Sequence, residues 1–209
     1  MNTPNLDQPV HTIEALCIRS HQISLEKGWV TEAGDPRSYA TITDLNHSEL
    51  SEAMEEHRNH AKLNETYYEV RGVKLTKAAR AASTEPASYD VAAWKPCGIP
   101  IELADFVIRV CQHVGTAGLG DVLQSHVAER YAPVYDTFDE LLAELHLSVS
   151  LAYKEYSTTK TEEYLQPLAD ALSEVFAFCK ANGIDLWSAI DEKEAYNRTR
   201  GHKHGGKAC

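Results

Sequence analysis

Residues 98–115 read GIPIELADFVIRVCQHVG. Pro100 stands near the start of this stretch, where its fixed φ suits the first turn of a helix, and a glycine closes the stretch. The apolar residues between them predict a buried helix over about 100–115. Glu102 and Asp105 interrupt the apolar run three positions apart, so they project from one face of that helix. Two acids inside an apolar helix are hard to explain as a solvated surface, and they mark a candidate site.

The rest of the chain also shows mainly helical periodicity, which predicts an all-α fold. Further helices are expected at about 10–28, 41–60, 121–131, 136–156, 161–182 and 185–198. Thr41 or Thr43 is expected as the N-cap of the second of these helices. Residues 61–98 are less regular, and within them TYYEVRGVKLT alternates and turns at Gly72. That pattern predicts a short β-hairpin near 66–76 in an insertion of a single domain, 1–209.

Composition excludes several classes of protein. The chain has 209 residues with 31 acidic and 20 basic side chains, and its formal net charge is −11. This balance argues against nucleic-acid binding through a broad basic face. The sequence contains no run of about 18 apolar residues, so no membrane span is predicted. The N-terminus lacks the pattern of a secretory signal. The five cysteines form no CxxC pair, so we expect reduced thiols and a cytoplasmic protein.

Two segments of the chain recur in the same order. HSELSEAMEE at 47–56 aligns without a gap with HLSVSLAYKE at 146–155, and IELADFVIRVCQHVGTAGL at 101–119 aligns with QPLADALSEVFAFCKANGI at 166–184. The offsets are 99 and 65 residues, so the first copy carries 99 − 65 = 34 extra residues, roughly the irregular stretch. The agreement favours an internal tandem duplication packed as a pseudo-dimer, with halves at 1–120 and 121–209. The alternative is a chance likeness between two amphipathic helix pairs.

A second acid pair, Glu49 and Glu52, shares one face of the predicted helix at 41–60. Gathering these acids with Glu102 and Asp105 is unfavourable unless a cation neutralises them. Ligands that are all oxygen favour Mg²⁺, with Mn²⁺ as the alternative. A ferritin-like di-iron site is disfavoured because the sequence has no Glu-x-x-His motif, and no GxxxxGK[ST] loop indicates a P-loop ATPase.

SELSE at 48–52 followed by ELAD at 102–105 resembles the EExxE…ExxD signature of the MazG-type, all-α nucleoside triphosphate pyrophosphohydrolases. GIPIELADFVIR, GIDLWSAIDEKEAYNRTR and the terminal KHGGK are similar to the phage and bacterial MazG-like subgroup. The resemblance extends from about Leu16 through Lys207 and is specific in those three stretches. Ser48 replaces the first Glu of the signature, and the two motifs lie farther apart than is usual in the family.

The resemblance implies a role for each candidate residue. It implies that Mg²⁺ is bound by Glu49, Glu52, Glu102 and Asp105. It also implies that Lys193 and Asn197 bind the substrate phosphates, and Arg200, about one helical turn farther along, is expected to join them there. His21 and Trp29 are candidates for the base pocket, since imidazole and indole rings stack on nucleobases. Core packing of Trp29 and surface exposure of His21 are the alternatives.

The activity implied is Mg²⁺-dependent hydrolysis of a (deoxy)nucleoside triphosphate to the monophosphate and pyrophosphate. Water would attack the α-phosphorus, with Glu49 or Glu52 as the carboxylate that orients it. One alternative is a related pyrophosphatase acting on a diphosphate nucleotide or on phosphoribosyl-ATP. The other is a non-catalytic helical interaction protein.

In the second copy, only one of the four aligned positions still carries an acid: Asp170 aligns with Asp105. The positions of Glu49, Glu52 and Glu102 are occupied by Ser148, Leu151 and Pro167. We therefore expect one active site per chain. The pseudo-dimer would work as a monomer, and a homodimer is the alternative.

Overall fold

The computed structural model describes residues 9–70, 72–78, 94–128 and 133–206. Within these residues the α-helices are α1 (Ile13–Glu26), α2 (Tyr39–Arg58), α3 (Ile99–Thr116), α4 (Gly120–His126), α5 (Phe138–Thr159), α6 (Leu165–Ala181), α7 (Leu186–Thr199) and α8 (Lys203–Gly206). A 3₁₀ turn, Glu162–Tyr164, precedes α6. The predominantly helical fold that the periodicity predicts is confirmed.

Helix α3 is the centre of the core. It packs against α1, α2 and α7, and side chains on all of its faces, including Phe106, Val107 and Val110, are fully buried. Gly115 allows α1 to cross α3 closely, since a Cβ there would lie 2.2 Å from the carbonyl oxygen of Cys17. The apolar stretch that contains ELAD is therefore buried because other helices surround it.

A three-stranded antiparallel sheet follows α2. Its strands are β1 (Tyr67–Val70), β2 (Val73–Thr76) and β3 (Lys95–Cys97), in the order β2-β1-β3. Gly72, with φ at 79°, lies in the turn between β1 and β2, so the hairpin predicted near 66–76 is confirmed. The third strand was not predicted. Residues 79–93 of the irregular stretch lie outside the described residues.

Helices α2 and α5 run antiparallel along a shared seam. The ring of Tyr39 at the start of α2 lies 4.2 Å from that of Tyr156 near the end of α5. At the other end of the seam, the ring of His57 lies 5.1 Å from that of Phe138. Between them, His47 and His146 stack on each other. The two segments that align in the sequence are therefore in direct contact.

The boundaries of the helices differ from the prediction at two points. Ser38 caps α2 by accepting a hydrogen bond from the amide of Thr41 at 3.1 Å, so the choice of Thr41 or Thr43 as N-cap was wrong. The Thr43 hydroxyl instead donates to the carbonyl of Tyr39 within the helix. The helix expected at 121–131 ends at His126 in α4, and residues 129–132 lie outside the described part of the chain.

Four cysteines are free and buried: Cys17, Cys97, Cys111 and Cys179. Cys209 lies outside the described residues. Among the helices that the structure describes, none has the length and apolar character needed to cross a bilayer.

Candidate metal centre

Three of the four predicted acids meet where α2 packs on α3. Glu49 of α2 and Glu102 and Asp105 of α3 each offer a carboxylate oxygen, and these atoms lie within 4.8 Å of one another. Glu49 and Glu102 are only 2% and 4% exposed. Glu52, one turn beyond Glu49, is exposed and lines the adjacent cavity instead. The i, i+3 spacing on α3 therefore directs both of its acids toward the same point.

The burial of these acids changes their protonation. Burial raises the pKa of Glu102 to about 8; Lys193 opposes the shift, and Asp105 reinforces it. Burial also raises the pKa of Glu49 to about 7, with Asp105 adding to the effect and Arg109 opposing it. Without a metal ion, the cluster therefore retains protons near neutral pH, and a divalent cation would favour their release.

Two cations already lie against the acids. The Nζ atom of Lys193 on α7 is 2.6 Å from Oδ2 of Asp105, and the lysine is only 4% exposed. Arg109, one turn beyond Asp105 on α3, donates from Nε to Oε1 of Glu49. Although burial opposes the charged forms, the neighbouring carboxylates raise the pKa of both Lys193 and Arg109 above their usual values.

Within this described cluster, one buried carboxylate oxygen is left without a hydrogen-bond partner. Oε2 of Glu102 is buried and has no hydrogen-bond partner among the residues that the structure describes. A buried acceptor without a partner is unfavourable by about 1–3 kcal/mol, and by more if it is charged. Two further carboxylate oxygens lie nearby, and such an all-oxygen set is what Mg²⁺ or Mn²⁺ prefers. The residues therefore fit the predicted divalent cation.

A cavity of about 200 Å³ opens beside the acids. Asn197 and Arg200, both predicted phosphate ligands, line it together with Arg109. The Oδ1 atom of Asn197 is buried and has no hydrogen-bond partner within the described ranges. The third predicted phosphate ligand, Lys193, lies one turn before Asn197 on α7 and reaches the acids instead.

Trp29 forms part of the cavity wall. The guanidinium of Arg37 lies 5.9 Å from the centroid of its ring. Asp35 holds Arg37 through two hydrogen bonds, of 2.9 and 2.7 Å, and Gln112 accepts a third at 2.9 Å. This wall combines an aromatic surface with polar groups that have fixed positions, as a site for a nucleobase requires.

His21, the other predicted base-pocket residue, lies behind that wall. Its Nδ1 atom is 3.0 Å from the hydroxyl oxygen of Thr116, which also accepts from Gln112. His21 is not among the described residues that line the cavity, whereas Gln112 is. The structure thus brings Trp29 to the cavity and connects His21 to it only through a hydrogen-bond network.

The C-terminal segment lies against the same cavity. The amide of Lys203 donates to the carbonyl of Lys27 at 2.9 Å, and the ring of His204 meets that of Trp29 edge-on at 5.3 Å. His204 also lines the cavity. Helix α8 is therefore positioned at the cavity by the loop that follows α1. Lys207, at the end of the KHGGK stretch, lies outside the described residues.

Arg109 was not predicted as a site residue, although the sequence carries a signal for it. It follows Asp105 by four positions, so it shares a helix face with that acid. It is also a cation within a mainly apolar run, where an unpaired charge is unfavourable. The roles of Arg37 and Gln112 had no comparable signal, because their contact joins residues 75 positions apart.

Comparisons of the chain with protein-family models, with curated proteins and with solved structures found no match.

Proposed function

We propose that the protein is a MazG-like pyrophosphohydrolase that uses Mg²⁺, or Mn²⁺, to convert a (deoxy)nucleoside triphosphate to its monophosphate and pyrophosphate. The observation that carries this proposal is Oε2 of Glu102, which is buried beside Glu49 and Asp105 and has no hydrogen-bond partner in the described part of the chain. A cation at this point would satisfy that oxygen. The four buried free thiols are compatible with action in the cytoplasm.

The cavity supports a triphosphate as the substrate. Arg109, Asn197 and Arg200 line it near the acids, and guanidinium groups suit phosphate oxygens because they present several donors in one plane. Trp29 offers an aromatic surface for the base in the same cavity. A nucleotide combines an anionic phosphate chain with an aromatic base, and the cavity offers groups suited to both.

In the proposed reaction, water attacks the α-phosphorus, and the bond from that atom to the oxygen bridging toward the β-phosphorus breaks. Glu52 is the carboxylate we assign to accept the proton of the water, because it is exposed and lines the cavity. Glu49 is less suited, since Arg109 binds it. When bound, the divalent cation supplies positive charge between the acids and the phosphates. Arg200 is positioned to stabilise the charge that grows on pyrophosphate.

The contacts along the seam support the duplication that we include in this proposal. With the offset of 99 residues, Tyr39 corresponds to Phe138 and His57 corresponds to Tyr156. The contact of Tyr39 with Tyr156 therefore has its counterpart in the contact of Phe138 with His57. Such reciprocal contacts are those of a two-fold interface, in which each side uses the same patch.

A second cavity, of about 260 Å³, supports the same interpretation. Ser148, Asp170 and Glu174 help to line it, and they align with Glu49, Asp105 and Arg109. Because the counterparts of Glu49 and Glu102 are Ser148 and Pro167, this half lacks two of the three clustered acids. We propose that it serves as a scaffold and that each chain has one active site.

The test is an assay of the purified full chain with Mg²⁺ against a panel of nucleoside triphosphates, with chromatography of the products. We expect monophosphate and pyrophosphate. Asp105→Asn should abolish turnover, whereas Asp170→Asn, the matched change in the second half, should retain it.

Other products would change the assignment. Orthophosphate release would exclude the proposed bond cleavage. Hydrolysis confined to a diphosphate nucleotide or to phosphoribosyl-ATP would indicate the related pyrophosphatase. No turnover of any of these compounds by a folded protein would favour a non-catalytic helical role.

A further inference from the structure

The acid cluster contains its own cations. Lys193 binds Asp105, and Arg109 binds Glu49, so two of the three clustered acids are paired. Of the three clustered acids, only Glu102 has a buried oxygen without a partner among the residues described. The space that favours a divalent cation is therefore bordered by two positive side chains that would repel it.

These two cations also lie next to the cavity that would hold the phosphates. Arg109 lines the cavity and contacts Glu49 through Nε, which leaves its terminal nitrogens as the atoms able to meet a phosphate. Lys193 lies one helical turn from Asn197, which lines the cavity from α7. Each of the two cations is therefore bonded to an acid that lines this cavity, and a phosphate bound there would offer it an alternative partner in exchange for the carboxylate.

A metal ion alone would not complete this exchange. If the cation bound Asp105 and Glu49 directly, Lys193 and Arg109 would lose their partners, and Lys193 would remain as a buried unpaired charge. A polyphosphate supplies the missing anions. The metal and the polyphosphate should therefore each make binding of the other more favourable.

We propose that Lys193 and Arg109 are exchangeable counter-ions, which neutralise the acids in the metal-free protein and transfer to the phosphates when metal and nucleoside triphosphate bind together. The inference rests on the proposed function and adds a property to it: metal binding depends on the substrate. By thermodynamic linkage, the factor by which the triphosphate strengthens metal binding equals the factor by which metal strengthens triphosphate binding.

The first test measures Mn²⁺ binding to the nucleotide-free protein by electron paramagnetic resonance of the free ion. Lys193→Met removes one competing cation, and we expect it to bind Mn²⁺ about tenfold more tightly than the wild type. Lys154→Met, an exposed change on α5, should match the wild type. Equal or weaker Mn²⁺ binding by a folded Lys193→Met protein would overturn the proposal.

Because loss of a buried lysine can prevent folding, Arg109→Gln provides the second variant. Arg109 is half-buried rather than fully buried, and its replacement should also tighten Mn²⁺ binding. If both variants fold and neither binds Mn²⁺ more tightly, the two cations are fixed structural partners of the acids.

The second test measures the coupling itself. Binding of a triphosphate with a non-hydrolysable α–β linkage is followed by tryptophan fluorescence, with Mn²⁺ and with chelator. We expect Mn²⁺ to strengthen binding about tenfold or more in the wild type and much less in Lys193→Met. Chelation of Mn²⁺ by the analogue in solution is the same for both proteins, so the difference between them reports the site.

The outcomes separate this inference from the proposed function. If the wild type hydrolyses triphosphates but neither variant shows the predicted change in Mn²⁺ binding, the exchange is wrong and the function stands. If the wild type neither binds Mn²⁺ with the analogue present nor hydrolyses any triphosphate, both proposals are wrong.

Discussion

The imidazole rings of His47 and His146 stack at the middle of the α2–α5 seam, with their Nδ1 atoms 2.8 Å apart. These two residues occupy equivalent positions in the two aligned segments, 99 residues apart. In a two-fold assembly, only residues near the axis meet their own copies. The pair therefore lies where the axis relating two duplicated halves would pass.

The histidine pair should make stability sensitive to mild acid. Burial lowers the pKa of both His47 and His146, and each folded-state pKa therefore lies below the unfolded value of about 6.5. Their contribution to stability is complete above that pH and is lost as the pH falls below it, because the unfolded chain binds more protons. We expect the His47→Gln/His146→Gln double variant to lose less free energy of unfolding between pH 7 and pH 5 than the wild type. Urea denaturation at both pH values measures this, and equal losses would contradict it.

His113 should have a larger effect of the same sign. It lies between Tyr39 and Tyr164, and burial lowers its pKa to about 4. Neither ring nitrogen has a hydrogen-bond partner among the residues described, so Phe can replace the ring without leaving a polar group unpaired. Between pH 7 and pH 4 the wild type should lose about 3 kcal/mol of unfolding free energy relative to His113→Phe. If the unfolding free energies of the two proteins instead change in parallel with pH, His113 binds its proton as readily in the folded protein as in the unfolded chain, which would contradict this prediction.

Glu102→Gln should separate stability from activity. Burial raises the pKa of Glu102 to about 8, so the folded protein binds more protons than the unfolded chain. The contribution of this residue to the free energy of unfolding is therefore lost as the pH rises through that value. With chelator at pH 9, Glu102→Gln should therefore be more stable than the wild type, by up to about 4 to 5 kcal/mol. Turnover with Mg²⁺ should fall by about 100-fold or more, since loss of an outer partner of a metal ligand alone costs 10–100-fold. Thermal unfolding and the product assay measure the two effects, and a variant that is less stable at pH 9 yet active would contradict both.

Trp29 should affect substrate binding more than chemistry. Stacking of a base on an aromatic ring contributes about 1–3 kcal/mol, so Trp29→Leu should raise KM about tenfold or more and change kcat little. Trp187→Leu is the matched control, because Trp187 stacks on His11 at a different groove. Equal effects of the two substitutions on KM would indicate that Trp29 contributes only to packing.

The sequence predicted the helices well because their burial follows a local pattern. The apolar run around ELAD gave α3 to within one residue at each end, since Pro100 and the closing glycine mark its limits. Strand β3 was missed because its pairing with β1 joins Tyr67 to Cys97, and nothing local to residues 95–97 indicates that partner. The cap at Ser38 was missed because Thr41 and Thr43 carry the same hydroxyl group, and only the backbone path distinguishes them.

Within the candidate site, the spacing of acids on a single helix is informative, whereas their pairing with cations on other helices is not visible in the sequence. The i, i+3 acids correctly placed Glu102 and Asp105 together, and Glu49 joined them from α2. The exposure of Glu52 was not predictable, because it depends on where α2 crosses α3. The pairing of Lys193 with Asp105 depends on the packing of α7 against α3, a contact between residues far apart in the sequence.

The central claim is most directly tested by anomalous diffraction from a crystal of the full chain grown with Mn²⁺ and a non-hydrolysable triphosphate. We predict one manganese peak per chain at about 2.2 Å from carboxylate oxygens of Glu49, Glu102 and Asp105, with Lys193 moved from Asp105 to a phosphate. A map with no peak among these three carboxylates, and with Lys193 still bonded to Asp105, would contradict the account.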